Sequence, residues 1–199
     1  MKGRRIWEIG GFVAGAVLIV FGVAAIFLGV NAYSTTRDAL TDEGITFGTA
    51  DDPAVAEHAE QWAGEQVTTG DQARAFALVM REHTLESTDG LTYAQMGRFQ
   101  SEARPGDPAG TNDEAAALKD ETGQPVANGA RNIWVTETAL TTALNMSYMA
   151  EQLAIFGIVV GVALLLTGIG LVILAFAVFG REPREAAVST RAAHASTPG

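Results

Sequence analysis

The two histidines in the middle of the chain are its most versatile side chains for chemistry. His58 and His83 both have acidic neighbours in the sequence, namely Glu57 and Glu60 around the first and Glu82 and Glu86 around the second. Two imidazoles and a carboxylate are a ligand set that suits a transition metal. Neither histidine belongs to an HExxH arrangement, however, and both fall on the polar sides of predicted helices. We therefore interpret them as solvated surface residues.

Three acidic pairs offer the hard oxygen ligands that Ca²⁺ or Mg²⁺ accepts. They are Asp51-Asp52, Asp113-Glu114 and Asp120-Glu121. The stretch 107–114 lacks the ligand spacing of an EF-hand. We favour solvated loops and expect no metal site, and binding of a divalent cation or small ligand by the segment between residues 31 and 149 stays open as the alternative function.

The sequence lacks the residues and motifs that other kinds of catalysis require. The chain has no cysteine, which excludes disulfides, thiolate catalysis and cysteine-ligated metals. It has no Gly-x-Ser-x-Gly elbow and no phosphate-binding glycine loop. Residues 34–150 carry 7 Lys and Arg against 19 Asp and Glu, a balance of −12, which would repel a nucleic-acid backbone. We expect a protein that is not an enzyme, has no cofactor or catalytic residue, and does not bind nucleic acid.

Two apolar runs are the elements that must hold this acidic segment. Residues 9–30 form 22 consecutive positions without a charge, and residues 153–179 form 27 whose only hydroxyl is Thr167. A bilayer core of about 30 Å needs about 20 helical residues. Both runs therefore predict transmembrane helices. A cleaved signal peptide is the alternative for the first run, but signal h-regions are shorter, about 7–15 residues.

Basic residues lie on the terminal sides of both runs. Lys2, Arg4 and Arg5 precede the first, and Arg181, Arg184 and Arg191 follow the second. The positive-inside rule then predicts a plasma-membrane protein with both termini in the cytoplasm and the acidic segment outside.

Small residues recur along both runs at alternating spacings of four and three. The first run has Gly11, Gly15, Leu18, Gly22, Ala25 and Gly29, and the second has Gly157, Gly161, Leu164, Gly168, Leu171 and Ala175. This spacing places them on one stripe of a supercoiled helix, called the seam here, where small side chains let two backbones approach closely. We predict that the seven glycines pack helices together, either within one chain or between chains.

The same register continues outside the apolar runs. It includes Ala154, Ala150, Ser147, Ala143, Leu140, Thr136 and Ile133 before the second run, and Ala32, Thr36 and Ala39 after the first. We therefore predict long unbroken helices over residues 5–42 and 132–180, which pack along this register as an antiparallel pair. Between them we predict helices over 53–66, from Thr69 onward and over 92–100, then a long loop over 101–128 with one helical turn at 113–119.

These elements define the predicted fold class, an all-α membrane protein with an antiparallel transmembrane hairpin and a helical extracytoplasmic domain inserted in it. The predicted segments are a cytoplasmic N-terminus (1–8), transmembrane helix 1 (9–30), the outer domain (31–149), transmembrane helix 2 (150–180) and a disordered cytoplasmic tail (181–199).

Four stretches carry a resemblance to a known family. They are Thr69-Gly-Asp-Gln-Ala-Arg-Ala, Leu91-Thr-Tyr-Ala-Gln-Met, Asp120-Glu-Thr-Gly-Gln-Pro-Val and Ala130-Arg-Asn-Ile-Trp-Val-Thr-Glu-Thr-Ala-Leu-Thr-Thr-Ala-Leu-Asn. The chain resembles actinobacterial two-pass membrane proteins of unknown function, which are sometimes labelled aromatic ring-opening dioxygenases. The resemblance implies the membrane location. These four stretches contain no iron-ligand motif, so we do not extend the resemblance to the enzyme activity.

The seam, the small apolar core of the outer domain and the missing catalytic residues together favour a structural role. We expect an envelope protein that contacts lipid and acts through self-association or as an accessory subunit of a membrane complex.

Overall fold

The computed structural model describes residues 2–179, with side chains from residue 9 to residue 177. Its helices are α1 (Lys2–Asp42), α2 (Pro53–His58), α3 (Gly70–Ser87) and α4 (Gly129–Phe179), with 3₁₀ turns at Glu60–Trp62 and Tyr93–Gln95. These residues form isolated β-bridges but no β-strand. The predicted all-helical class is confirmed. The predicted tail, 181–199, and the predicted end of the last helix at Gly180 lie outside the described residues.

Two helices, α1 and α4, are long and apolar enough to cross a membrane. By contacts the chain divides into two compact units. The described part of the first, residues 2–30 and 156–179, is called the helix-pair unit here. The second, Asn31–Ile155, is called the central unit.

The helix-pair unit buries small residues where its two helices meet and exposes large ones. Gly15, Gly22, Gly161, Gly168 and Ala175 are buried, whereas Val, Leu, Ile and Phe side chains cover the outer surface of both helices. A soluble protein would reverse this distribution, whereas an apolar solvent such as lipid accepts it.

The core of the central unit forms around α3. Phe47 stacks on Trp62 and meets Phe76 of α3 edge to face, with ring centroids 6.1 and 5.3 Å apart. Val55 and Val67 are fully buried beside them. Thr69 begins α3 with a capping box, in which its hydroxyl accepts the Gln72 amide and the Gln72 side chain accepts the Thr69 amide.

Helix α2 is shorter than predicted. It begins as predicted, since the Asp52 carboxylate accepts the Ala54 amide and Pro53 occupies the first turn. It ends at His58, so the predicted helix over 53–66 is wrong beyond that residue. The backbone after Trp62 instead pairs with the segment before α2, where the Phe47 and Val67 amides donate to Glu65 and Ile45 at 2.9 and 2.8 Å.

The helix predicted over 92–100 is also wrong beyond Gln95. Backbone pairing to a distant segment replaces it, since the Gly97 and Phe99 amides donate to Ala109 and Thr111 at 2.7 and 3.0 Å.

Residues 101–128 contain no helix, so the helical turn predicted at 113–119 is wrong as well. Side chains organise this loop. Asn128 is buried, and its side-chain amide Nδ2 donates to the carbonyls of Gly97 and Pro108, at 3.0 and 2.8 Å.

Candidate functional site

The two backbones of the helix-pair unit touch at Gly15 and Gly168. A Cβ added to Gly15 would lie 2.8 Å from the Gly168 carbonyl oxygen, and a Cβ added to Gly168 would lie 2.7 Å from the Gly15 oxygen. Only hydrogen fits in this space. Because the obstacle is backbone, rotation of a side chain cannot relieve it.

A second contact of the same kind lies two turns further along. A Cβ on Gly22 would lie 2.7 Å from the Gly161 oxygen and from the Leu165 amide nitrogen, and one on Gly161 would lie 2.8 Å from the Gly22 oxygen. The remaining seam glycines are less crowded. A Cβ on Gly11 or Gly157 would meet ordinary contacts at 3.9 and 4.0 Å, and Gly29, which is buried, supplies one of them.

In the central unit, α4 buries a different face from the one predicted. Ile133 and Leu140 are 43% and 48% exposed, and Thr136, Ala143 and Ala150 are exposed as well. The buried residues of α4 in this unit are Trp134, Glu137, Leu144, Glu151 and Ala154, of which Ala154 belongs to the predicted register. The five exposed positions of that register are not covered within the chain, whereas Leu144 joins the core cluster that includes Leu40 of α1 and residues of α3.

Two directional contacts fix this face. The Glu151 carboxylate accepts the Gly70 amide at 2.7 Å, which satisfies a donor at the start of α3 and places a negative charge at the positive end of its dipole. Gly70 lies so close to α4 that an added Cβ would be 2.9 Å from the Tyr148 Cα. The Trp134 indole donates to the Leu91 carbonyl at 2.8 Å. Sequence periodicity gave no signal for a carboxylate buried in this way.

Glu137 is the second buried carboxylate of α4. It is 4% exposed, and the Thr138 hydroxyl donates a hydrogen bond to it at 3.2 Å. Arg81 packs on this side of α4, but its guanidinium lies over the Trp134 ring, 4.9 Å from the centroid. Within residues 9–177, Glu137 forms no ion pair.

Two cavities border α3 and α4 in the central unit. The larger, about 660 Å³, has mostly apolar walls from α1, α3 and α4, with Glu43 as its charged residue. The smaller, about 360 Å³, is lined by Thr84, Asn132, Thr136 and Glu137 together with Ile133 and Met80. Met80 lines both cavities. Leu140, Ala143 and Ser147 of the predicted register line the larger cavity together with Ala39 of α1, which the same prediction includes.

The two histidines considered as metal ligands have different surroundings. His83 is exposed, and its Nε2 lies 2.9 Å from Oδ2 of Asp52. Hydrogen bonding to His83, ahead of the Ala54 amide and the charge of His83, holds the pKa of Asp52 below its usual value. His58 ends α2 and is half-buried.

The acidic pairs in the long loop stabilise turns. Asp113 accepts the Ala115 amide, and Asp120 accepts the amides of Thr122 and Gln124 and the Thr122 hydroxyl. These bonds hold the pKa of Asp120 below its usual value, with the Thr122 hydroxyl as the largest cause. Among the described residues no three His, Asp or Glu side chains are grouped so that they could hold a metal ion.

Comparison with known proteins adds no relative, since no family model, curated protein or solved structure matches the chain.

The glycine contacts predict that the effect of a Gly→Ala substitution on helix pairing depends sharply on its position. Gly22→Ala should destabilise the pairing of α1 and α4 by about 1–3 kcal/mol, because the methyl group meets backbone atoms. Gly170→Ala, at a glycine with no atom within 4 Å of an added Cβ, should change the pairing free energy by less than about 0.5 kcal/mol. Fluorophores are attached at Ile9→Cys on α1 and Ala177→Cys on α4. The measurement is the mole fraction of SDS at which energy transfer between them is lost. Equal effects of the two substitutions would show that the seam does not hold the helices.

The Asp52 contacts predict a dependence on pH. Asparagine at position 52 can still cap α2, but it cannot form an ion pair with His83. Alanine can neither cap the helix nor form the ion pair. The thermal midpoint of the central unit at neutral pH should therefore fall in the order wild type, Asp52→Asn, Asp52→Ala. Because the pKa of Asp52 is lowered on folding, its stabilisation is present above the ordinary value of 3.8 and is lost as pH falls through the folded-state pKa. The gap between wild type and Asp52→Asn should close in acid, and a gap that persists there would contradict the ion pair.

Proposed function

We propose that this protein is a two-pass membrane protein of the cell envelope that acts by self-association and not as an enzyme. In this proposal α1 and α4 cross the membrane as an antiparallel hairpin and residues 31–149 lie outside the cytoplasm. The glycine contacts support the hairpin, because the α4 partner number falls from Gly168 to Gly161 as the α1 number rises from Gly15 to Gly22. The basic ends of the sequence support the orientation.

An exposed, largely apolar stripe on α4 carries the proposal of self-association. The stripe comprises Val135, Ala139, Thr142, Met146 and Met149, at alternating spacings of four and three, and all five residues are exposed. Val135, Met146 and Met149 are 55%, 54% and 48% exposed. This is the spacing of a helix that packs against another helix. The stripe lies before residue 150, where the predicted second span begins, so lipid does not account for it.

Charge indicates a second copy of this chain as the partner. Between Arg131 and Glu151 the sequence has one charged residue, Glu137, and that residue is buried. The exposed surface of α4 over this interval is therefore neutral, although residues 34–150 carry a balance of −12. Two acidic domains could meet at this surface without like charges facing each other, and a two-fold axis would place the same stripe on both sides. A basic partner would find no charge here to pair with.

The titratable groups support a role without catalysis. Glu151 and Asp52 stabilise the ends of helices, and Asp113 and Asp120 stabilise turns. Each of these carboxylates is thus engaged in holding the fold.

Single cysteines on α4 test the proposed interface, and the cysteine-free sequence gives no background. Thr142→Cys and Met146→Cys should give a crosslinked species of twice the chain mass in native membranes, because equivalent stripe positions face each other across a two-fold axis. Asn145→Cys, which is exposed on the same helix but off the stripe, is the matched control and should crosslink several-fold more slowly. The measurement is the initial rate of crosslinking at native expression.

The same rate at all three positions, or no dimer, would contradict self-association through this stripe. Crosslinking to a protein of another mass would contradict the choice of partner.

Labelling of cysteines tests the orientation. A cysteine at the exposed position Glu57→Cys should react with a membrane-impermeant maleimide on intact cells, because the basic flanks hold the termini in the cytoplasm. A cysteine added after Gly199 should react only after permeabilisation. Labelling of the terminal cysteine on intact cells would contradict the proposed topology.

A further inference from the structure

Glu137 is a buried acid that has no positively charged partner among residues 9–177. The residue is 96% buried, since its exposed fraction is 4%, and the Thr138 hydroxyl is its hydrogen-bond donor. That bond engages one carboxylate oxygen, and the other keeps access to solvent, since no buried side-chain nitrogen or oxygen of the described residues lacks a hydrogen-bond partner. A largely buried carboxylate is stabilised further by a cation. Glu151, by contrast, has the Gly70 amide at the start of α3. Glu137 instead lines the smaller cavity.

The two cavities adjoin each other, and both have mainly apolar walls. The smaller is shallow, and the residues that line it include the polar Thr84, Asn132, Thr136 and Glu137. Both include Met80, and the α4 residues that line them follow one another along the helix, from Asn132 to Ser147. The larger cavity, at about 660 Å³, has the size of a small-molecule site.

Charge selects among possible ligands. The ionisable residues that line the two cavities are Glu43 and Glu137, both acidic, and the surrounding segment 34–150 is strongly negative. A fatty acid or other anionic amphiphile would meet repulsion at both carboxylates. A cation would supply the partner that Glu137 lacks.

We propose that the two cavities form one binding site for a linear amphiphilic cation. Its ammonium head contacts the Glu137 carboxylate among the neighbouring hydroxyl and amide groups. Its alkyl tail lies along Leu140, Ala143 and Leu144 of α4, opposite Phe76 and Met80 of α3. The distance from Glu137 to Ser147, ten residues at about 1.5 Å each, gives room for a tail of roughly 15 Å. This site is separate from the exposed α4 stripe and does not depend on self-association.

Methionine methyl signals test the site in the full chain in nanodiscs. The probe is decylammonium, and the matched anion is decanoate. The chain has five methionines, of which Met80 lines both cavities, while Met146 and Met149 are exposed and line neither. The Met80 methyl signal should shift to saturation with decylammonium and show little change with decanoate. Met146 and Met149 report unspecific partitioning.

Variants identify the two ends of the site. Glu137→Gln removes the charge at constant shape and should weaken decylammonium binding about tenfold or more. Ala143→Leu leaves the carboxylate in place and should block the tail, with a similar loss. Glu57→Gln removes an exposed carboxylate of α2 that lines neither cavity, and it should bind as the wild type does.

Three outcomes would overturn the proposal. The first is a Met80 signal that does not move, or that moves only in step with Met146 and Met149. The second is an equal response to decanoate. The third is wild-type binding by both Glu137→Gln and Ala143→Leu. Because Ala143→Leu does not touch the buried acid, a folding defect of Glu137→Gln would not remove the test. Crosslinking of the α4 stripe is measured separately, so each proposal can fail alone.

Discussion

Direct contact between the backbones of α1 and α4 is the constraint on which the helix-pair unit depends. At Gly15 and Gly22 a methyl group would lie 2.8 and 2.7 Å from a carbonyl oxygen of α4. In the proposed membrane location two apolar helices gain no hydrophobic free energy by pairing, so close van der Waals contact supplies the attraction. Bulky side chains would hold the helices apart, and here they cover the outer surface. The smallest residues therefore make the contact, and the largest face the solvent.

Helix α4 meets a different requirement in the central unit. Its buried face there contains Trp134, Leu144 and Glu151 in place of glycine. Two of these make directional bonds, to the Leu91 carbonyl and the Gly70 amide. Such bonds specify which turn of α4 lies against α3, because a shift along the helix would leave a buried carboxylate and a buried indole without partners. Close backbone contact organises one unit, and polar anchors organise the other.

The sequence predicted the features that local chemistry determines. Asp52-Pro53 and Thr69 mark the starts of α2 and α3, since a cap is a contact within a few residues. The ends of the predicted helices over 53–66 and 92–100 were wrong, because bonds to segments distant in sequence end them, such as that from Gly97 to Ala109. The two long apolar helices were predicted for the same local reason that the caps were, as each run carries its own signal of length and composition.

Periodicity shows which residues share a face but not which element lies opposite that face. The heptad spacing that groups Gly161 with Gly168 also groups Leu140 with Ile133, yet these last two are about half exposed. The face of α4 that α3 covers is rotated from that register, and it includes two glutamates that a sequence pattern assigns to solvent. Burial of Glu137 and Glu151 depends on α3 and the loop before α4, whose positions no local signal contains.

The three faces of α4 have different surroundings over residues 132–150, a segment with few charged residues. One face of α4 packs on α3 through Leu144, a second lines the cavities with Leu140 and Ala143, and a third displays Val135 and Met146. A helix with only one packed face would carry charges on the others, as surface helices do. Here the exposed positions are apolar or uncharged throughout, although the rest of the central unit is rich in acids. Burial against α3 explains the first face alone, and the proposed self-association and ligand site account for the neutral character of the other two.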